Sequence, residues 1–192
     1  MRKLALSDEI LLKIEKPARY IGNEVNSVMK NKDEVDIRFA MCFPDVYEIG
    51  MSHLGIQILY DMFNQREDTW CERVYSPWPD LDKVMREKKI PLFALESQDP
   101  IRNFDFLGIT IQYEMCYTNI LQILDLSGMP LRAADRDESW PLVMGGGPAL
   151  ITRSRWQSFL TCSISEKEKL SSEKFWILIK NTKKLEKAKK NF

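Results

Sequence analysis

The chain has 192 residues, 44% of them hydrophobic, which is enough for one domain with a real core and an appendage. Its 28 Lys and Arg balance its 28 Asp and Glu, and a net charge of zero argues against a dedicated binder of nucleic acids or anionic membranes. No segment approaches the roughly 18 apolar residues of a membrane span, and the start lacks a signal-peptide pattern. We therefore expect a cytoplasmic protein with no membrane and no nucleic-acid partner.

The charge is unevenly divided along the chain. Up to Leu150 there are 17 basic and 24 acidic residues, a net charge of about −7, whereas from Ile151 onward there are 11 basic and 4 acidic residues, about +7. Every Gly, Pro and Asp precedes Ile151. The pattern predicts an N-terminal extension at residues 1–34, a domain at residues 35–150 and a basic tail at residues 151–192.

The four cysteines are too far apart in sequence for a CxxC metal knuckle or an iron-sulfur loop. Free cysteine is among the residue types most often buried, so we expect reduced cysteines in or near the core. They are Cys42, Cys71, Cys116 and Cys162.

Strand-like and helix-like segments alternate along the chain. After a short helix and a loop, a run of strand formers ends at Pro44, and apolar residues at helical spacing follow it. We predict helices at residues 8–14, 52–65, 80–88 and 117–126, and strands at residues 35–42, 71–75, 91–95, 104–111 and 141–144. Such alternation is typical of a three-layer α/β fold with a mostly parallel sheet, because parallel strands need crossover connections.

In a parallel sheet, ligands bind beyond the carboxyl ends of the strands. Three connecting segments reach that edge: residues 43–55, 112–119 and 145–148. The first carries two carboxylates, a phenol, a hydroxyl and the single histidine, and it lacks the GxGxxG order of a dinucleotide site. Ser52 is a plausible helix N-cap, and a lone His53 without partners at ligand spacing does not indicate a metal site.

The other two segments add aromatic groups and bare backbone to the same edge. Tyr113 follows the fourth predicted strand, and three glycines follow the last. No nucleophile, base and orienting group stand in a hydrolase-like order, so no catalytic or metal-binding residue is assigned. The candidate cofactor-binding residues are Asp45, Tyr47, Glu48, Gly50, Ser52, His53, Gly55, Tyr113, Gly145, Gly146 and Gly147.

Several long strings agree in order with one known family. They are Arg19–Ser27, Cys42–Gly55, Cys71–Asp80, Gln112–Glu114, Tyr117–Leu121 and Asp135–Ser139. Together, over roughly residues 15–149, they resemble the amino-terminal part of a bacterial family of radical SAM proteins whose first domain is similar to cobalamin (B12)-binding domains. The resemblance implies a Rossmann-like or flavodoxin-like first domain.

In that family the resemblance implies a partner, a radical SAM barrel domain that holds a [4Fe-4S] cluster on a CxxxCxxC loop and uses S-adenosylmethionine. No cysteine here has that spacing, so these cofactors are expected only in a downstream domain, and we expect this fragment to be inactive alone. The alternative is a stand-alone small-molecule-binding α/β protein, or an enzyme, that uses the loop from Asp45 to Gly55.

Cobalamin binding is a further expectation from the resemblance. Domains that replace the lower axial ligand use an Asp-x-His-x-x-Gly order, whereas here Asp45 is eight residues before His53 and Gly55 follows two residues later. That motif is absent. The fold can still cradle the nucleotide tail of the corrinoid between the first loop, the Tyr113 segment and the glycine run.

Residues 151–157 suggest a change of reading frame. Relatives continue after Gly-Gly-Pro with Tyr-Asn-Pro-Glu-Pro-Leu-Ala, and suitable codons for that string, read one base later, encode Ile-Thr-Arg-Ser-Arg-Trp-Gln, as here. We therefore hypothesise a frameshift near residue 150 and a truncated protein. The alternative is a native basic amphipathic helix at residues 174–190 that contacts acidic partners. Sequencing the gene separates them: an unbroken frame with no barrel-coding sequence downstream contradicts the frameshift.

Overall fold

The computed structural model describes residues 4–148, 158–164 and 181. Its strands form one all-parallel sheet in the order β2-β1-β3-β4-β5. The predicted α/β class with a mostly parallel sheet is confirmed. The strands are β1 (Ile37–Phe43), β2 (Thr69–Tyr75), β3 (Phe106–Thr110), β4 (Leu142–Gly146) and β5 (Cys162–Ile164).

Helices precede and connect the strands. They are α1 (Asp8–Leu11), α2 (Ala18–Ile21), α3 (Tyr47–Met51), α4 (Leu54–Asn64), α5 (Pro79–Lys88) and α6 (Tyr117–Leu126), with single 3₁₀ turns at Ile101–Asn103, Glu114–Cys116 and Ala133–Asp135. The three long helices match the predicted ones closely. The predicted helix at residues 8–14 ends at Leu11, and α2 and α3 lie in segments predicted as loops.

The central strand β1 is buried on both faces. Phe39 belongs to a cluster that includes Phe63 of α4, and the two rings meet edge to face with centroids 4.8 Å apart. Ala40 and Cys42 belong to the other cluster, which includes residues of α5, α6 and α1. Because successive side chains of a strand point to opposite faces, the sheet lies between two helical layers, as expected for three layers.

The predicted strand at residues 91–95 is wrong. This segment turns back on itself instead, since Ala94 N donates to Asp99 O (3.1 Å) and Ile101 N donates to Leu92 O (2.9 Å). It contacts edge strand β2 through one backbone bond, from Leu95 N to Arg73 O (2.9 Å). The segment therefore covers the sheet edge rather than extending the sheet, which blocks further strand pairing there.

Strand β5 lies in the tail, where no strand is predicted from the sequence. It pairs with β4 in parallel register, with Met144 opposite Cys162, and Thr161 N donates to Val143 O (2.9 Å). Leu160 is 5% exposed and packs so tightly on Gly145 that a Cβ at that position would clash with it. The alternative helix at residues 174–190 lies outside the described residues except at Asn181.

All four cysteines are free, and Cys42, Cys71 and Cys116 are buried as expected. Cys162 is half-buried. Among the residues described, no helix combines the length and apolar character needed to cross a bilayer.

Replacing Leu160 with Ala tests the packing of β5. The buried side chain leaves a cavity against Gly145, so we expect the free energy of unfolding to fall by about 2–5 kcal/mol in urea titrations. Leu12, which is 87% exposed, provides the matched control, and Leu12→Ala should change stability by less than about 0.5 kcal/mol. Equal effects of the two substitutions would contradict the docking of this segment.

Candidate functional site

The connection order reverses between β1 and β3. From β1 the chain passes to β2 on one side, and β3 then lies on the other side of β1. In doubly wound sheets this switch point opens a crevice beyond the carboxyl ends of the strands. The loops that follow β1 and β3 both start there.

Asp45 connects three parts of this edge. Its carboxylate Oδ2 accepts a short hydrogen bond from the hydroxyl of Tyr113, which lies in the loop after β3. Its backbone carbonyl accepts from Ser76 N (2.9 Å), just beyond β2. Beside it, Asn119 Nδ2 donates to Pro44 O (2.9 Å). Of the predicted site residues, Asp45 and Tyr113 are therefore brought together across the switch point.

The Asp45–Tyr113 contact alters the acidity of the phenol. Partial burial and the hydrogen bond to the Asp45 carboxylate raise the pKa of Tyr113 to about 12. The hydroxyl therefore stays protonated at neutral pH and keeps donating to Asp45. The bridge is a fixed part of the edge under ordinary conditions.

The glycine run, of which Gly145 and Gly146 end β4 and Gly147 follows it, serves mainly the packing of the chain itself. Gly147 has a φ of +126°, which favours glycine, and a Cβ there would collide with the backbone oxygen of Ile111. Gly145 makes room for Leu160 in the same way. At Gly146, by contrast, a side chain would meet nothing within 4 Å among the residues that the structure describes.

The first loop divides into groups that do not share one site. Glu48 faces the N-terminal extension, where its Oε1 accepts from Arg19 Nε (2.9 Å) and Lys16 Nζ (3.3 Å). Ser52 Oγ donates to Ile49 O (2.9 Å) at the end of α3. The hydrogen bonds of Glu48 and Ser52 therefore lead to other parts of the chain than those of Asp45.

The predicted N-cap Ser52 is wrong, because His53 caps α4 instead. His53 Nδ1 accepts from Ile56 N (3.4 Å), and its ring packs on Phe43 with centroids 5.1 Å apart. A Cβ at position 55 would lie 2.9 Å from His53 Cε1, so Gly55 makes room for the imidazole. Ser52 is instead the C-cap of the short helix α3, so α4 begins at Leu54.

Tyr47 lines a cleft of about 660 Å³ on the α4 face of the sheet, and Gly50 packs against Tyr75, another of its lining residues. Tyr47 meets Tyr75 edge to face, with centroids 5.4 Å apart, and donates to Glu24 Oε1 (2.5 Å). The ring of Tyr75 occupies the space of a Cβ at Gly50. The cleft is lined by Glu24, Val25, Asn26, Val28, Tyr47, Met51, Ile56, Gln57, Tyr60, Asp61, Arg73 and Tyr75.

An ion-pair network forms the floor of this cleft. Arg73 Nε donates to Glu96 Oε1 (2.7 Å), Arg73 N donates to Glu96 Oε2 (2.7 Å), and Arg73 Nη1 makes a short bond to Glu24 Oε2. Glu96 is only 1% exposed. Burial raises the pKa of Glu96, while the Arg73 guanidinium opposes that change.

Two donors in the cleft are buried and have no hydrogen-bond partner within the described part of the chain. They are the hydroxyl of Tyr75 and Nη2 of Arg73. Both atoms have almost no accessible surface, so these donors lie within the wall of the cleft and are not open to a molecule inside it. Neither residue was predicted as a site residue; the charged pair Glu72-Arg73 inside an otherwise apolar strand was the available signal.

The described residues contain no group of three or more His, Cys, Asp or Glu side chains that could hold a metal ion. Both candidate regions therefore consist of hydrogen-bonding and aromatic groups. What they can do chemically is bind and orient a molecule.

Replacing Tyr113 with Phe tests the bridge. We expect a loss of about 1.5 kcal/mol at pH 7, the low end for a hydrogen bond to a charged group, because the site is partly open to solvent. The phenol ionises near pH 10 when unfolded and near pH 12 when folded, so the difference should persist below pH 10 and vanish as the pH rises through 12. Urea unfolding at several pH values measures it, and a pH-independent difference would contradict the bridge.

The comparisons with known proteins give one match. The model of a family described as radical SAM proteins, N-terminal, matches residues 55–192. Searches of the curated proteins and of the solved structures find no significant match. The matched range begins in the first turn of α4 and covers more than half of the chain, including strands β2 to β5. The chain therefore belongs to the family of radical SAM protein N-terminal regions.

Proposed function

We propose that this chain is the amino-terminal module of a radical SAM protein, that it carries out no radical reaction alone, and that the carboxyl edge of its sheet binds a corrinoid. Family membership supports the radical SAM context. In the complete protein the [4Fe-4S] cluster and S-adenosylmethionine would belong to a barrel domain, because no cysteine spacing here suits a cluster.

The observation that carries the corrinoid proposal is the exposed apolar surface beside the switch point. Leu54, after β1, is 67% exposed, and Met115, after β3, is 85% exposed. Each follows one of the two strands that flank the switch point, so both support a surface there that another molecule covers. A corrin ring is broad and largely apolar with polar amides at its rim, so it suits such an edge.

The open backbone at Gly146 adds to this fit. Because a side chain there would meet nothing within 4 Å in the described part of the chain, a flat ligand can approach the peptide closely. Asp45 and Tyr113 would then present a fixed polar bridge to the amide rim. When bound, a corrinoid supplies cobalt-centred methyl or electron transfer.

The edge offers no axial imidazole. His53 Nδ1 already accepts a backbone hydrogen bond, so in the neutral ring the proton is on Nε2 and neither nitrogen has a free lone pair. We therefore propose that the corrinoid is held by contacts with the edge rather than by a protein nitrogen on cobalt.

Incubation of the full chain with hydroxocobalamin tests this proposal. We expect the corrinoid absorbance to elute with the protein in size-exclusion chromatography. Gly146→Val should abolish the co-elution, because the added side chain occupies the space of the ligand and meets none of the described residues within 4 Å at its Cβ.

Ala18→Val enlarges an exposed residue at the start of α2 and serves as the control that should retain binding. Absence of corrinoid from the wild-type peak would overturn the corrinoid proposal and leave the radical SAM context intact. Equal binding by the wild type and Gly146→Val would overturn the assigned position.

A further inference from the structure

The cleft on the α4 face lies between helix α4 and residues 24–28. Tyr60 and Asp61 line the helix side, and Val25 and Val28 line the opposite side. Val28 N donates to the hydroxyl of Tyr60 (2.7 Å), and this bond holds the two sides together at the base. The volume of about 660 Å³ lies within the range of small-molecule sites.

Asp61 brings to the cleft a carboxylate that no cation of the described residues neutralises. It is exposed, and its Oδ2 accepts from the neutral Gln65 Nε2 (2.8 Å). Lys30 Nζ caps the end of α4 by donating to Asn64 O (2.9 Å) and forms no ion pair with Asp61. The last turn of α4 holds no basic residue, and a cation is favourable near the carboxyl end of a helix. A positive group beside Asp61 would therefore be stabilised.

The other charges of the cleft have the same sign. Among the described lining residues, Glu24 and Asp61 are negative and Arg73 is positive, a net charge of −1. The Glu24 side chain is 30% exposed and that of Arg73 only 12%, and Arg73 also pairs with the buried Glu96 (2.7 Å). A molecule in the cleft therefore meets more negative than positive charge, which favours a cation and disfavours an anion.

Exposed apolar surface lies within reach of Asp61. Val25 and Met51 both line the cleft, and both are exposed. Gln57 Nε2 donates to Met51 O (2.6 Å), which ties Met51 to the turn of α4 that contains Gln57. Gln57 lies four residues before Asp61, so the two share one side of the helix and are about 6 Å apart along its axis. The cleft therefore combines a carboxylate with apolar surface at the spacing of a short amphipathic molecule.

We propose that this cleft binds a small protonated amine with an apolar body, whose ammonium group donates to the Asp61 carboxylate and whose body covers Met51 and Val25. The ammonium neutralises a charge that the described residues leave without a cation, and the body removes apolar surface from water. The site is independent of the proposed corrinoid edge, because none of its groups takes part in the Asp45–Tyr113 bridge.

Titration of the ¹⁵N-labelled full chain with 2-phenylethylammonium at pH 7, followed by amide NMR, tests the proposal. We expect saturable shifts centred on residues 57–61, with half-saturation below roughly 10 mM. Asp61→Asn should weaken binding about threefold, as for an ion pair near the surface. Asp8→Asn removes the same charge from α1, which packs on the other face of the sheet, and should leave the affinity unchanged. No saturable shifts up to that concentration, or equal affinity for wild type and Asp61→Asn, would overturn the proposal.

Two related ligands separate the roles of charge and apolar surface. 2-Phenylethanol replaces the ammonium with a neutral hydroxyl, and phenylacetate places a carboxylate there. Both should bind less tightly than the ammonium, phenylacetate least of all, and added salt should weaken the ammonium alone. Val25→Ser, at an exposed position, should weaken the ammonium and the alcohol alike. Equal binding of the three ligands would contradict the role of charge, and an unchanged affinity of Val25→Ser would contradict the position of the apolar body.

Discussion

Arg73 lies within edge strand β2, and the surrounding structure depends on how this buried guanidinium is neutralised. Glu96 accepts from both its Nε and its backbone N, and Glu24 accepts from Nη1. The Glu96 carboxylate holds residues 92–101 over the edge of the sheet. The Glu24 carboxylate holds the segment that begins at Glu24. In that segment, Val28 N donates to the hydroxyl of Tyr60 in α4 (2.7 Å). One cation thus connects the cover of the sheet edge with a wall of the cleft.

The two candidate regions differ in how they are prepared for a ligand. At the switch point the chain satisfies its own polar groups, since Tyr113 donates to Asp45 and Asn119 donates to Pro44. A ligand there meets a preformed surface and loses little by ordering it. In the cleft, by contrast, Tyr75 and Arg73 retain unused donors.

The parts of the fold with a strong local signal were predictable from sequence. Helices α4 to α6 show apolar residues at helical spacing, and the four longer strands are runs of strand formers between turn signals. Residues 91–95 show the same local signal, yet Glu96 pairs with Arg73, 23 residues earlier, and this pairing holds the segment over the sheet edge instead of in a strand. A pairing over that distance leaves no trace in a local pattern.

The residues of the candidate site were likewise predictable only in part. Asp45 and Tyr113 were predictable because both follow strands at one edge of a parallel sheet. Tyr75 and Glu24 were not, because they meet only after α3 and the N-terminal extension have packed, and neither element has a strong sequence signal. The prediction of Ser52 as the N-cap was wrong for a related reason. Helix α3 extends to Met51 and ends with Ser52 as its C-cap, so His53 is the N-cap of α4.

A double-mutant cycle on Arg73 and Glu96 tests the central role of the buried cation most directly. Arg73→Met leaves the buried Glu96 carboxylate without its cation, and Glu96→Gln leaves Arg73 with Glu24 as its remaining partner. Each should lower the free energy of unfolding, Arg73→Met by about 3–5 kcal/mol and Glu96→Gln by less. The double variant should lose clearly less than the sum of the two single losses. Additive losses would show that the two residues act independently and would contradict this account.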